Sequence, residues 1–515
     1  MRRALILAAA LAATPALGAE FRWATQTDPA TLDPHAQSSA PVLGFLNNVY
    51  EGLVRRDAEM SVEPALATSW EPLGERGWRF HLREGVTFHD GAAFDAGDVI
   101  FSYERAASEQ SDVASWFAGV TEVVAPDSRT VDFVTARPDP IFPGSIANFM
   151  VMDSGWAEAN GAERPDRQSG TFATLNANGT GPYRVTLREP GTRTVLEPFE
   201  GWWGEERGDV SRAVMRPVQN PATAIAALLS GAVDLVEPIP IQDVERLRAA
   251  EDVHVEEGIE ARVVMLGFSH DRETVHGGDA PNPFCSAAIR DAVARAVDVE
   301  AIDQVVMRGA VEPASQIIDP ASTGYSEVHA ARPDFDPAAA RAAITAAGFE
   351  GAAVTFACPN DRYINDEAVC QAITAMLAQV GLDPQLVTMP VAQYWPALRA
   401  GEFDMYLLGW SAGTFDAEHP IRFLAHTPDP EARLGSWNFG GYSNARVDDL
   451  LPAIRAELDE AARQAMLDEV MGILQQETAY VPLYVQPLLW GVREGVEVVQ
   501  RADNFLILRW VEVDG

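Results

Sequence analysis

The sequence predicts an α/β protein that contains more than one β-sheet. Two stretches, 220–236 and 394–408, have the same order of features: a helical pattern, a glycine, an aspartate and a strand pattern. Elsewhere strand patterns dominate, without the regular alternation of strands and helices that one parallel sheet requires. We therefore expect an α/β lobe in each half of the chain and at least one further sheet. A length of 515 residues suits about three folding units.

The individual helices are predicted from capping residues and apolar spacing. Asn220 is a suitable N-cap before Pro221, and Gly231 ends that helix. Asp336 and Asn365 begin two further helices, each of which ends before a glycine. Helices are also predicted over 289–297 and 394–399. The predicted strands are 78–82, 130–134, 183–187, 194–197, 233–236, 263–268, 353–357, 403–408 and 481–485.

The charge distribution limits the possible partners. All 38 basic residues other than histidine are arginine, and 75 acidic residues give a formal net charge of −37. A protein this acidic has no general electrostatic affinity for nucleic acid or for an anionic membrane, so we expect neither as a partner. Because the chain has no lysine, an anionic group on a ligand must be bound by arginine or by backbone amides.

Residues 1–19 have the features of a cleavable secretory signal peptide. Two arginines precede an apolar run over 4–13, and small residues follow it. No cysteine lies near the cleavage site, which favours a soluble periplasmic protein over a lipid-anchored one. In an oxidising compartment three cysteines allow one disulfide. We expect it between Cys358, at a strand end, and Cys370, in the next helix, with Cys285 as a buried free thiol.

Eight short motifs spread along the chain carry a family resemblance. They are TLDPH (31–35), YEGLV (50–54), PALA (64–67), WRFHLREGVTFHDG (78–91), FDAGDV (94–99), GTGPY (179–183), NPF (282–284) and WNFGGYSN (437–444). Together they resemble the family 5 extracytoplasmic solute-binding proteins, which serve dipeptide, oligopeptide and nickel ABC importers. The resemblance covers essentially the whole chain after residue 19.

The resemblance implies a fold and a role. The fold is a type II periplasmic binding protein clamshell, in which two α/β lobes with mixed sheets close over a ligand, with an additional small α+β domain. By motif position, the first lobe comprises 20–52, 176–268 and 487–515, the small domain 53–175, and the second lobe 269–486. The role is the periplasmic substrate-binding component of an ABC importer, which delivers a peptide or peptide-like solute to the membrane permease. We expect a monomer that needs no cofactor and catalyses no reaction.

One position departs from the pattern of the peptide-binding members. In those proteins, as the resemblance implies, an aspartate three residues after a strand-end tryptophan binds the α-ammonium group of the peptide. The corresponding tryptophan is Trp410, and Gly413 stands three residues later. Glycine offers no carboxylate, so an ordinary peptide with a free N-terminus is disfavoured unless Asp416 takes this role. Opine-like conjugates and oligosaccharides therefore stay open beside peptides.

Other residues are candidates for ligand contact. Arg362 lies near the region that supplies a carboxylate-binding arginine in dipeptide binders, although an ion pair with neighbouring acidic residues explains it equally well. Tyr363, Trp410 and Trp437 offer flat surfaces for a sugar ring or an aromatic side chain, and Trp437 suits the core equally. The remaining candidates are Gln37, Ser38 and Ser39 after the first strand region, and Tyr183 after a glycine-rich turn.

Two other functions are open on the sequence. Residues 409–413 match the G-x-S-x-G pattern of a serine hydrolase, with Ser411 as the nucleophile. Against this, only two histidines follow Ser411, and both are too close in sequence to come from a later strand. Binding of nickel or a metal chelate is the second alternative, since His270 and His276 have acidic neighbours. No complete set of metal ligands is recognisable, so we expect no metal site.

Overall fold

The structure is a computed structural model that describes residues 19–166, 168–205 and 208–514. Apart from Ala19, the predicted signal peptide lies outside these residues. Within the described ranges, no helix has both the length and the apolar character needed to cross a membrane.

The described residues contain nineteen strands and fourteen α-helices. The strands are β1 (Ala19–Thr25), β2 (Val54–Arg56), β3 (Val62–Pro64), β4 (Ala67–Pro72), β5 (Gly77–Leu82), β6 (Val120–Asp127), β7 (Thr130–Thr135), β8 (Tyr183–Glu189), β9 (Arg193–Pro198), β10 (Val210–Pro217), β11 (Leu235–Glu237), β12 (Val253–Phe268), β13 (Glu312–Pro313), β14 (Ala353–Pro359), β15 (Asp383–Met389), β16 (Met405–Ser411), β17 (Val481–Arg493), β18 (Val496–Glu497) and β19 (Glu512–Val513). The helices are α1 (Ala40–Leu46), α2 (Ala96–Ala106), α3 (Phe142–Ser145), α4 (Ser154–Ala159), α5 (Pro221–Leu229), α6 (Val244–Arg248), α7 (Ala287–Ala296), α8 (Val299–Val305), α9 (Pro337–Ala346), α10 (Asp366–Gln379), α11 (Val391–Arg399), α12 (Glu418–Pro420), α13 (Ala445–Ile454) and α14 (Glu460–Gln476).

Eleven of the described strands form one mixed sheet. Their order is β15-β14-β16-β12-β17-β11-β1-β10-β9-β8, and β13 pairs with β17. Parallel pairs occur in both halves, since β1 runs parallel to β10 and β11, and β14 runs parallel to β15 and β16. The antiparallel strands β12 and β17 lie between these two groups and join them. The predicted α/β character of both halves of the chain is therefore confirmed.

The central pair β12 and β17 is longer than the sequence predicts. Strand patterns cover 263–268 and 481–485, whereas the strands extend over sixteen and thirteen residues. The added part of β12 is rich in charged, half-exposed residues, so it has no apolar alternation from which a strand could be predicted. The register changes between Ile259, opposite Pro487, and Val263, opposite Val485. Such an irregularity bends a strand pair, here between the two groups of parallel strands. The limits of the lobes remain predictions.

A second sheet has its own hydrophobic core. Strands β4, β5, β7 and β6 form a four-stranded antiparallel sheet. Its apolar side chains pack in a cluster that extends from Leu53 to Val151 and includes Phe80, Phe88 and Phe133. Further sheets, β2-β3 and β18-β19, have two strands each. The expectation of more than one sheet is therefore confirmed.

The local signals for helix starts and for the disulfide agree with the structure. The side chain of Asn220 accepts a hydrogen bond from the Thr223 amide at 3.0 Å, and Asp336 caps α9 in the same way. Cys358 at the end of β14 is bonded to Cys370 in α10, so the predicted disulfide is confirmed. Cys285 is free but exposed rather than buried, because it lies in a short turn just before α7.

Candidate functional site

A cavity of about 690 Å³ lies between the two halves of the chain. We call the lining residues between 38 and 148 the N-terminal wall and those between 411 and 463 the C-terminal wall. Glu260 and Arg262, at the register change in β12, and residues 502–505 complete the lining. This volume falls within the range of about 300–1,000 Å³ that is usual for small-molecule sites.

The C-terminal wall begins where β16 ends, at Ser411. The turn that follows leads to Asp416, which is 3% exposed and is not among the lining residues. Its two carboxylate oxygens accept hydrogen bonds from Nη1 and Nη2 of Arg463 at 2.8 and 2.7 Å. Asp416 is therefore neutralised by an internal partner, and its carboxylate is not available to a ligand ammonium group in the cavity, the role that the sequence left open for it.

Two arginines of the C-terminal wall share one carboxylate. Glu418 is 2% exposed, and its Oε1 lies 3.0 Å from Nε of Arg422 and 3.1 Å from Nε of Arg455. Arg422 lies in the π-helical segment Ile421–Ala425 that continues α12, and Arg455 directly follows α13. Burial lowers the pKa of Arg455, and the attraction of Glu418 opposes that effect. One buried anion therefore faces two cations here.

Arg56 connects the two walls, and no carboxylate of the described residues forms an ion pair with it. Its guanidinium donates hydrogen bonds to the carbonyl oxygens of Met60 at 2.7 Å, Gly144 at 3.2 Å and Thr414 at 2.8 Å. It also lies 4.7 Å from the centre of the Phe415 ring. Burial is the main reason why the pKa of Arg56 is lowered to about 10. The cavity therefore contains a buried cation whose hydrogen bonds go to neutral groups.

The Trp410 indole fixes the tautomer of His419 at the edge of the cavity. Nε1 of Trp410 lies 3.2 Å from Nδ1 of His419, and because an indole can only donate, Nδ1 must accept. Burial, followed by the charge of Arg422, lowers the pKa of His419 to about 3. The neutral imidazole therefore carries its proton on Nε2. A Cβ atom placed at Gly413 would come 3.8 Å from that nitrogen and would meet no other atom of the described residues within 4 Å.

Asp139 is the acidic group of the N-terminal wall. Burial is the main cause that raises its pKa to about 6, repulsion from Glu418 adds to it, and the charge of Arg455 opposes it. In an unfolded chain the carboxyl has a pKa of about 3.9. The folded state therefore binds a proton that the unfolded state lacks between these two values, so stability falls as the pH rises through this window.

Replacing Asp139 with asparagine should stabilise the protein at pH 7.5 by about 3 kcal/mol, which is the cost of ionising a carboxyl whose pKa is raised from 3.8 to about 6. The gain should vanish below pH 4, where the carboxyl is protonated in both states. Urea denaturation at several pH values measures this, with Asp383→Asn, an exposed change on β15, as the control. A gain that does not depend on pH would contradict the assigned cause.

The structure places few of the predicted ligand residues on the cavity. Ser38 lines it, but Gln37, Ser39, Trp410 and Trp437 are not among its lining residues. Ser411, the nucleophile of the hydrolase alternative, also lines the cavity. The backbone amide and hydroxyl of Ser38 both donate to Oδ2 of Asp112. Ser39 precedes α1 as its N-cap. Trp410 and Trp437 pack against each other, with ring centres 5.6 Å apart, in an aromatic cluster behind the C-terminal wall.

Arg362 and Tyr363 also lie away from the lining residues. Arg362 is exposed, and no ion pair joins it to Asp361, Asp366 or Glu367. Tyr363 is buried, and its hydroxyl accepts a hydrogen bond from the Gly409 amide at 2.7 Å. Its ring thus packs behind β16 rather than against the cavity.

Tyr183 belongs to a hydrophobic core rather than to the cavity. It is 2% exposed, and its hydroxyl donates to the Val210 carbonyl at 3.2 Å. A Cβ atom at Gly179 or Gly181 would come within 2.0 or 2.6 Å of the Val49 backbone. These glycines therefore permit a close approach of two backbone segments, and a ligand is not needed to explain them.

The charged residues that do line the cavity carry no local sequence signal. They are Arg56, Arg137, Asp139, Glu260, Arg262, Glu418, Arg422, Arg455, Arg463 and Asp503. Each lies in a segment of ordinary composition, and only the folded chain brings them together. Glu418 and Arg422 have the spacing of a helical ion pair, which is usually a surface feature. No group of three or more histidine, cysteine, aspartate or glutamate residues suited to a metal ion occurs in the described part of the chain.

The comparison with protein families decides the identification. Residues 61–430 match the model described as "Bacterial extracellular solute-binding proteins, family 5 Middle". The chain belongs to this family. It is 25% identical to the glutathione-binding protein GsiB of Salmonella paratyphi A, over 94% of this chain and 93% of that protein. The predicted role, a substrate-binding component of an importer, is thereby confirmed in its general form.

Solved structures of the same architecture confirm the fold. HbpA2 from Haemophilus parasuis superposes with a TM-score of 0.84 at 20% identity, over 96% of this chain and 100% of that chain. The unliganded open form of MppA, a periplasmic murein tripeptide binding protein, superposes with a TM-score of 0.83 at 19% identity, over 97% and 98%. The type II periplasmic binding protein fold predicted from the motifs is therefore the fold of this family 5 protein.

Proposed function

We propose that this family 5 protein is a periplasmic receptor that binds a peptide-like solute between its two walls and delivers it to the permease of an ABC importer. The observation that carries the proposal is the cavity, whose walls come from both halves of the chain. The halves are joined through β12 and β17, whose register is irregular beside the cavity at Glu260 and Arg262. Closure about such a connection excludes water from the ligand.

The class of solute is inferred from relatives and from the C-terminal wall. GsiB is named for glutathione and MppA for a murein tripeptide, which supports a peptide-like ligand. Gly413 supplies no carboxylate, and the carboxylate of Asp416 is bound to Arg463. These features favour peptide-like solutes, opine-like conjugates included, over ordinary peptides whose recognition depends on a free α-ammonium group.

Binding without catalysis is part of the proposal. The Ser411 hydroxyl makes no hydrogen bond to a histidine among the described residues, and Nδ1 of His419 accepts from Trp410 instead. We further propose export by the signal peptide over 1–19, a soluble periplasmic location and a monomeric state. The predicted absence of a cofactor and of a lipid anchor belongs to the same proposal.

A thermal-shift screen of the protein from residue 20 tests this function. The panel contains glutathione, tripeptides, opines, oligosaccharides and nickel with and without free histidine. A ligand at 100 times its dissociation constant should stabilise the protein by about 2.7 kcal/mol. We expect peptide-like solutes to raise the melting temperature. The proposal fails if the folded protein responds to no member of the panel, and a response to nickel with histidine alone would favour the metal-chelate alternative.

A further inference from the structure

The lining of the cavity contains an excess of positive charge although the chain is strongly acidic. Among the described residues, six arginines and four acidic residues line it. In the whole chain, acidic residues outnumber arginines 75 to 38. The cavity thus reverses the charge balance of the protein. The next question is whether internal ion pairs neutralise this positive charge.

Internal ion pairs account for only part of this charge. Arg262 pairs with Glu260 at 2.8 Å, and Arg463 pairs with Asp416. Asp503 pairs with an arginine outside the lining, Arg501. These pairs leave four lining arginines against two lining carboxylates, an excess of two positive charges. The unmatched set consists of Arg56, Arg137, Arg422 and Arg455 on one side and Asp139 and Glu418 on the other.

The unmatched cations come from both walls. Arg137 belongs to the N-terminal wall, is exposed, and forms no ion pair with any described residue. Arg422 and Arg455 belong to the C-terminal wall and share Glu418. Cations that outnumber the carboxylates of a partly enclosed site favour an anion placed between them. Guanidinium groups bind carboxylates through paired hydrogen bonds, which adds geometric selectivity to the attraction.

One neutral side chain of the C-terminal wall, His419, adds a further hydrogen-bond donor to the lining. His419 presents its Nε2–H beside Gly413, because Trp410 occupies its Nδ1. Of the two carboxylates in this segment, Asp416 is bound to Arg463, and Glu418 is paired with Arg422 and Arg455. The Nε2–H group of His419 can therefore donate to a ligand carboxylate, whereas it offers no acceptor to a ligand ammonium group.

From this donor-rich lining we infer that the solute is an anion with two or more carboxylates, bound between Arg137 on the N-terminal wall and Arg422 and Arg455 on the C-terminal wall. The inference rests on the proposed function and adds the chemical class of the ligand. A solute with a single carboxylate, or a cationic solute, could not place an anionic group against the cations of both walls on closure.

Calorimetric titration with three tripeptides of equal length tests the inference. The probes are Glu-Glu-Glu, Ala-Ala-Ala and Lys-Lys-Lys, together with a dicarboxylate opine. We expect the acidic peptide or the opine to bind at least tenfold more tightly than the neutral peptide, and the basic peptide not to bind. The affinity of the acidic ligand should fall as salt is added, because the attraction is electrostatic.

Two variants locate the site. Arg137→Gln should weaken the acidic ligand about tenfold or more, whereas Arg184→Gln, an exposed change on β8 away from the cavity, should leave the affinity unchanged. Gly413→Asp places a carboxylate beside His419 in open space and should weaken the acidic ligand relative to the neutral one. Melting curves of the free variants check that each one folds.

The outcomes separate the inference from the function on which it rests. If a neutral or basic peptide binds as tightly as the acidic ligands, or if a solute with fewer than two acidic groups is the best ligand of the thermal-shift panel, the inference is wrong and the receptor function stands. Unchanged affinity in Arg137→Gln also contradicts it. If no solute of either panel binds the folded protein, the proposed function itself fails.

Discussion

Asp416→Asn should destabilise the protein by about 3–5 kcal/mol, because removing one member of a buried ion pair leaves the other charge uncompensated. Asp416 and Arg463 are 3% and 7% exposed, and two hydrogen bonds join them. The side chain of Asp416 also accepts a hydrogen bond from the Glu418 amide at 2.8 Å. Asparagine keeps the shape of the side chain but removes the charge that neutralises Arg463.

Urea denaturation at pH 7 measures this loss, with Asp383→Asn as the exposed control. The Asp416→Asn variant also distinguishes a structural role of Asp416 from a role in ligand binding. If Asp416 acts only through the ion pair, the variant loses stability. Its ligand affinity, measured at a temperature where it is folded, then changes little. Unchanged stability together with a large loss of affinity would mean that Asp416 binds the ligand after all.

Asp33→Asn should cost a similar amount, about 3–5 kcal/mol, for the same physical reason. Asp33 is 1% exposed and Arg105 is 2% exposed. Nη1 of Arg105 donates to Oδ1 of Asp33 at 2.7 Å and to Nδ1 of His35 at 3.0 Å, while Nε2 of His35 donates to the Met150 carbonyl at 2.9 Å. The variant would leave a fully buried guanidinium without an anion.

The effect of Asp33→Asn should depend on pH. Burial raises the pKa of Asp33, but the hydrogen bonds and charge of Arg105 outweigh burial and lower it below its usual value. The carboxylate therefore contributes stability above its unfolded pKa of about 3.9 and loses that contribution as the pH falls through the folded pKa. Denaturation curves of both proteins at pH 7 and in the acid range measure this. An equal difference at every pH would argue against a charge effect.

Local signals explain which parts of the fold were predictable. A capping side chain, a proline and a glycine within a few residues determine where α5 and α9 begin and end. The cysteine pair was predictable because a strand end and the following helix bring Cys358 and Cys370 together over a separation of twelve residues. The first half of β12 was not predictable, because its half-exposed charged residues form hydrogen bonds within the sheet without an apolar pattern.

The candidate site was less predictable than the fold because its residues meet only through tertiary structure. The sequence predicts that tryptophans contact the ligand. In the structure Trp410 donates a hydrogen bond to His419, and Trp437 packs against Trp410. Asp416 has the residue type that an ammonium site needs, but its partner Arg463 lies 47 residues away on α14. The absence of lysine was more informative, because arginine is the most frequent charged residue in the described lining of the cavity.

Hydrogen exchange with and without ligand, measured by mass spectrometry, tests whether a solute binds between the two halves. The ligand is the solute that gives the largest thermal shift. We predict reduced exchange in both walls at once, over 135–148 on the N-terminal wall and over 411–423 on the C-terminal wall. Protection confined to one wall, or to the surface groove lined by Asp291, Arg295 and Arg332, would contradict binding between the two walls.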